Sequence, residues 1–319
     1  MSGHILNMNI FTSKDRLITR LKYPVAVLSV YMTAVHIFAL VLPKLNVDIE
    51  AFASLLWSAA CGAFVAFYEY KESEKSFAVS LSILSVNAVF YLVTAHPLGL
   101  VVSTVLTVLL VMLGKNLDFE YLVITSALSG VVVGIVFGLL DEPFQMYVKN
   151  FAYLIKGRAV LFGILNEVYT PLFGNHFSDL VYNTDCSAAT LVGGKIVSGV
   201  QKIFLADIKN PLSSVAEYLT GKYFVNIFLV LGTAVALFKK TSKRYFFSFL
   251  LPCVLSVIFG DNTLLLVFLL FYNPLIFAGF IFVGGVGYFV ASLVDIRIGF
   301  STFASVFNLF RYGRSIGYF

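Results

Sequence analysis

The 319-residue chain is 59% hydrophobic and 16% aromatic, with only 12% charged residues and a formal net charge of +5. Ordinary soluble domains carry about 25% charged residues. This chain cannot coat a folded surface with polar groups, which excludes a soluble enzyme, a disordered segment and a fibrous repeat. The class left is an all-α integral membrane protein with the lipid bilayer as its solvent; the mean hydropathy of +0.91 agrees.

The excess of Lys and Arg does not point to nucleic acid, because the basic residues sit between apolar runs rather than in one patch. They fit cytoplasmic loops. Residues 1–20 form a basic lead with Lys14, Arg16 and Arg20. The apolar run Tyr23 to Leu42 then spans about 20 residues, enough to cross a bilayer, with no small-residue cleavage site. It predicts a first transmembrane helix with the N-terminus cytoplasmic.

Further apolar runs lie at about 51–68, 76–95, 98–113 and 121–140, joined by short connections such as His96-Pro97. The stretch Asp141 to Gly157 mixes acids and lysines with Phe144, Met146, Tyr147 and Phe151, and reads as amphipathic and interfacial. Arg158 to Gly174 is apolar but carries Asn166, Glu167 and Pro171, a poor composition for a helix facing lipid. From Asn175 to Lys222 the sequence turns polar and turn-rich. Two spans follow at about 223–238 and 245–260. Between them Lys239 to Arg244 is the strongest topological marker, placed in the cytoplasm. The run Thr263 to Val294 is too long for one untilted helix. With Asn273-Pro274 and Gly284-Gly285 inside it, it predicts two segments or one broken helix with a re-entrant piece. About ten membrane segments in one domain are expected, with no soluble module at either end.

Charged groups at membrane depth cost about 2.5–3.5 kcal/mol each on insertion scales, so Glu167, His176 and Asp261 stand out. They flank the polar middle and the loop-like break Gly260-Asp261-Asn262-Thr263. A broken helix frees backbone groups that are tolerated only in a wet cavity or buried in protein. Carboxylates, amides and an imidazole beside such a break suit an uncharged polar solute such as a sugar. Blander roles compete. Glu167 can pair with a basic residue and hold two helices together, His176 can be a satisfied interhelical histidine, and Asp261 can cap a helix starting near Asn262. The aromatic surplus is packing and interface, with Tyr169 and Tyr182 as exceptions inside the polar region. Cys61, Cys186 and Cys253 have no metal spacing, and Cys61 and Cys253 read as small buried side chains. No cofactor and no metal is expected, since there is no phosphate-cradling glycine loop, nucleophile elbow or metal-binding His pair.

Several stretches resemble the membrane domain, enzyme IIC (EIIC), of the glucose superfamily of the bacterial phosphotransferase system. Leu21-Lys22-Tyr23-Pro24-Val25-Ala26-Val27-Leu28 is similar to that family's opening. Gly163-Ile164-Leu165-Asn166-Glu167-Val168-Tyr169-Thr170-Pro171 is similar to its Gly-Phe-Leu-Asn-Arg-Leu-Leu-Ile-Pro stretch, and the His-His pair ending that motif falls on Asn175 and His176. Ile203-Phe204-Leu205-Ala206-Asp207, Ala216 to Tyr223 and Arg297-Ile298-Gly299-Phe300 match later motifs in the right order, over nearly the whole chain.

The resemblance implies an inner-membrane permease that carries a sugar by alternating access. It implies a homodimer through the N-terminal helices (21–140), a substrate-site half (141–319), and a separate cytoplasmic enzyme IIB (EIIB) as phosphoryl donor. Asn166, Glu167, Asn175, His176, Asp261, Asn262 and Thr263 would then line the central site. There are departures from the family pattern. The signature Gly-Ile-Thr-Glu-Pro falls on Gly260-Asp261-Asn262-Thr263-Leu264, which puts Thr263 at the glutamate position. Glu167 stands for the family's Arg, and Asn175 for the first His. A threonine cannot orient or deprotonate a sugar hydroxyl as a carboxylate does. A non-transporting relative (a sensor, an immunity or exclusion factor, or a partner subunit) is therefore the alternative, and a facilitator that passes its solute unphosphorylated is a third.

Overall fold

The computed structural model describes residues 73–94, 118–155, 157–173, 189–192, 194–198, 217–240, 243–294 and 304–316, with isolated positions between them. These residues are helical apart from turns and one short hairpin, so the all-α reading holds. The expected span at 51–68 and most of those at 23–42 and 98–113 lie outside them.

The first two described helices form a pair. Helix α1 (Ser73–Thr94) packs along α2 (Phe119–Ile155). Gly130, Gly134 and Gly138 repeat every fourth residue on α2, and they set the distance between the two backbones. A Cβ at Gly130 would lie 2.6 Å from the Ser82 carbonyl oxygen, and one at Gly134 2.9 Å from that of Val86. Small residues at this spacing allow helices to approach closely where apolar burial alone gives no attraction. Outward from this seam α2 exposes Ile124, Leu128, Val132, Ile135 and Leu139.

Helix α2 corrects one expectation. It runs 37 residues without interruption and includes Pro143, so Asp141 to Ile155 continues the preceding helix rather than forming a separate element. At about 1.5 Å per residue it is roughly 55 Å long, well beyond a hydrocarbon core of about 30 Å. Of its charged residues, Glu120 and Lys149 fall outside the apolar stretch Val123–Val148, while Asp141 and Glu142 lie inside it.

After a turn at Gly157, α3 (Ala159–Phe173) carries the polar residues flagged in the sequence. The strands β1 (Ala189–Val192) and β2 (Lys195–Ser198) pair antiparallel, with Gly194 at φ 81°, a conformation that favours glycine. Next comes one helical rod from Glu217 to Lys240. It consists of α4 (Glu217–Tyr223), a π-helical turn (Phe224–Leu229) and α5 (Val230–Lys240). Helix α6 (Lys243–Val254) also passes into a π-helical turn (Leu255–Phe259) and ends at Gly260, φ 85°. Pro252 lies just upstream and lacks the N–H that an α-helix would use there. Wider turns of this kind mark sites where the regular ladder gives way, often at functional positions.

The long apolar run divides at Asn273. Helix α7 (Thr263–Tyr272) is buried from Leu264 to Leu269, and α8 (Pro274–Val294) follows at once. The break therefore occurs at Asn273-Pro274, where proline favours a helix start. Gly284 and Gly285 lie inside a continuous α8, and at Gly285 the missing side chain serves close packing rather than a turn. A Cβ at Gly285 would stand 2.7 Å from the Val160 carbonyl oxygen of α3. Helix α9 (Val306–Ile316) closes the described chain.

Among the described residues three stretches are long and apolar enough to cross a membrane: Val123–Val148, Leu219–Phe238 and Pro274–Val294. Four shorter apolar helices accompany them. A continuous hydrophobic core joins α3 to α9, with Phe162, Leu255, Leu265 and Leu266 at its centre.

Candidate functional site

Helix α3 presents Asn166 and Glu167 inward, both without solvent exposure. Opposite them, α4 contributes Lys222, which is 3% exposed. The break between the α6 π-turn and α7 contributes Asn262, also fully buried. The Lys222 ammonium donates to Glu167 Oε1 at 2.8 Å and to Asn262 Oδ1 at 3.1 Å. Asn262 Nδ2 in turn donates to Glu167 Oε2 at 2.6 Å. Asn166 Nδ2 donates to Glu167 Oε1 at 3.1 Å and to the Tyr288 hydroxyl at 3.0 Å. Three segments distant in sequence thus close a ring of charge-assisted hydrogen bonds around one carboxylate.

The ring depends on a fourth helix. Tyr288 of α8 is 1% exposed, and its aromatic ring is wedged between two glycines. A Cβ at Gly221 would lie 2.3 Å from Tyr288 Cγ and 2.8 Å from its Cα; one at Gly163 would lie 2.6 Å from Cδ2. Only glycine at both positions lets the phenol reach Asn166. Gly221→Val is expected to cost about 1–3 kcal/mol by overpacking, because the Tyr288 backbone cannot swing aside. Thermal unfolding of the purified chain would check this, with Gly232→Ala, where a Cβ meets nothing within 4 Å, as the near-neutral control.

Asp261 takes the capping role. Its Oδ1 accepts the Thr263 N–H at 3.0 Å, while Asn262, at the cap position itself, sends its side chain to Glu167 and Lys222. Thr263, half-buried, starts α7. Asn166, Glu167 and Asn262 are therefore brought together, and Asp261 and Thr263 stand next to them in sequence without joining the ring. Asn175, His176 and Tyr182 lie outside the described residues. Tyr169 is buried on α3 and donates to Gln145 Oε1 of α2 at 2.8 Å, which gives it a local tie between helices.

Two participants escaped the sequence reading. Lys222 was left at the edge of the polar middle, because a span drawn by hydropathy begins after the lysine. Tyr288 sits in a glycine-rich run, where Gly284, Gly285 and Gly287 signalled close packing around a large aromatic.

The same break holds a second polar group. Asn226, fully buried in the π-turn after α4, donates from Nδ2 to the carbonyl of Gly260 at 2.6 Å and to that of Ala304 at 3.2 Å. Ser256 Oγ donates to the Asn226 carbonyl at 3.2 Å. Thr220 ties α4 to Ile298, accepting its N–H at 2.9 Å and donating to its carbonyl at 3.3 Å. A surface cleft of about 460 Å³ lies elsewhere, between the start of α3 and Phe289 and Ser292 of α8, and no residue of the ring lines it.

Chemically, the ring offers an ammonium and two amide N–H₂ groups as donors, and a carboxylate and two amide oxygens as acceptors. It is closed to solvent in this conformation, and each charge is satisfied by its neighbours. No model of a known protein family matches the chain.

Proposed function

We propose that the chain is a multi-pass protein of a bacterial inner membrane, an enzyme IIC-like permease whose second half binds a sugar and moves it across. The observation that carries this reading is the convergence of Glu167, Lys222, Asn262 and Asn166 on one buried point at a helix break. Ionised groups at membrane depth are costly and usually mark a pathway. Broken helices near the midplane are where carriers place their sites.

A sugar hydroxyl both donates and accepts, so it can exchange one for one with the bonds of the ring. Lys222 would turn from Glu167 to a hydroxyl oxygen, and Glu167 and the amides would take the hydroxyl protons. Passage then requires the ring to open first to one side and then to the other. Thr263 supplies no carboxylate, so phosphoryl transfer belongs to this proposal only through a separate enzyme IIB. The cytoplasmic N-terminus and dimerisation through the N-terminal half belong to it as implications of the resemblance.

A second reading has its own support. Because the ring's bonds are made internally and none of its members is exposed, it also suits a relative that has stopped transporting and uses the cluster to lock its helices. Uptake of labelled sugars by cells lacking their own permeases separates the two. Accumulation above vector controls supports the carrier. Sugar phosphate that appears only with a phosphotransfer partner adds enzyme IIB to it. Binding without flux supports the locked relative.

Tyr288→Phe tests the outermost bond of the ring. It removes the acceptor for Asn166 and is expected to cost about 1 kcal/mol. A loss of that size should appear in Tm while the Glu167–Lys222 pair survives.

A further inference from the structure

We infer that the cleft between α3 and α8 binds an anionic phospholipid, with the Arg158 guanidinium on the phosphate and an acyl chain along the apolar wall. The site depends on the membrane location proposed above but not on transport. The cleft holds about 460 Å³, a volume typical of small-molecule sites. Val160, Leu161 and Ile164 of α3 line it on one side and Phe289 of α8 on the other. Ser292 adds little polarity, because its hydroxyl donates back to the Phe289 carbonyl at 2.7 Å. Among the described residues Arg158 is the one charged group that lines the cleft, and it is exposed. One cation beside an apolar wall has the same division of chemistry as an anionic lipid.

The depth of the cleft agrees. The apolar stretch of α8 ends at Val294, and Phe289 and Ser292 lie within about 8 Å of that end at 1.5 Å per residue. The apolar stretch of α2 ends at Val148, and the helix runs on to Ile155 before the chain turns at Gly157 into Arg158. Both helices therefore put Arg158 at the edge of the apolar layer, the level of lipid phosphates, and not at its middle. Phe289, Val290 and Leu293 are exposed, so the α8 wall adjoins a surface that a bilayer covers.

A guanidinium presents two parallel N–H groups to two phosphate oxygens. Basic pockets between membrane helices hold anionic headgroups in this way. Lys156, two residues earlier in the sequence, adds to the positive charge of the turn. A zwitterionic headgroup brings its own ammonium and gains less from the arginine. Free phosphate makes no use of the apolar wall.

The test titrates the full chain in a nonionic detergent with phosphatidylglycerol or with phosphatidylcholine of the same acyl chains, and counts bound lipid by native mass spectrometry. The wild type is expected to hold one phosphatidylglycerol in preference to phosphatidylcholine. Arg158→Gln should weaken that binding about tenfold, the scale of one hydrogen bond between charged groups. Ser292→Phe, which fills the cleft and keeps the arginine, should lose the lipid too. If a variant fails to fold, the wild-type preference decides alone. Equal retention of the two lipids, or unchanged binding in Arg158→Gln, overturns the site. Displacement by inorganic phosphate, or full binding in Ser292→Phe, reduces it to attraction at the surface and also overturns it. Failure of the membrane reading shows separately, as a chain that stays dispersed without detergent.

Discussion

Lys222→Ala is expected to destabilise the chain by about 3–5 kcal/mol, the scale for stripping one partner from a buried ion pair. The magnitude follows from the fate of Glu167. With no solvent exposure it cannot recruit water, and Asn166 and Asn262 offer amide dipoles but no charge. Most of the penalty is the stranded carboxylate, not the lost attraction. The double variant Glu167→Gln with Lys222→Met should therefore recover much of the loss, since replacing both members of a buried pair is often close to neutral. Thermal inactivation rates in detergent are a suitable readout, because they do not require unfolding to be reversible. Equal melting of wild type and Lys222→Ala would mean that the pair is not buried as described.

Asn262→Leu is the second large effect. Leucine keeps the volume but gives up two bonds to charged groups, from Lys222 Nζ at 3.1 Å and to Glu167 Oε2 at 2.6 Å. Bonds of this kind contribute about 1.5–3 kcal/mol each. The expected loss is about 3 kcal/mol, less than the sum because the remaining Glu167–Lys222 contact tightens when its competitor goes. Asn262→Asp distinguishes the cause. It keeps the acceptor for Lys222 but sets a second carboxylate against Glu167, so it too should melt below wild type. A destabilised leucine variant beside a normal aspartate variant would count against the ring as drawn.

Part of this arrangement was legible in the sequence, for physical reasons. Glu167 and Asp261 were conspicuous because a carboxylate inside an apolar run needs a compensating partner. Both blander roles weighed for them, an ion pair for Glu167 and a helix cap for Asp261, are found in the structure. The partner itself was not legible. Pairing Lys222 with Glu167 joins residues 55 apart, and no periodicity reports which helices meet.

The glycines were misread for a related reason. Alone, Gly284-Gly285 signals a break, yet α3 presses so closely on α8 at Gly285 that the missing side chain serves helix contact instead. The excess length of α2 was obscured because its charged third lowers the hydropathy without ending the helix. The repeat Gly130, Gly134, Gly138 is a signal of the α1–α2 seam that neither composition nor hydropathy carries.

The most direct test of the carrier is sugar flux in proteoliposomes holding the wild-type chain or the double variant Glu167→Gln with Lys222→Met. A panel of labelled hexoses and disaccharides would be offered to both at matched protein orientation and thermal stability. The carrier reading predicts that at least one sugar equilibrates across the wild-type vesicles and that its flux falls to the empty-vesicle level in the variant. Equal flux through both, or none through wild type for a sugar that it binds, would contradict the reading and leave the buried ring as a lock between helices.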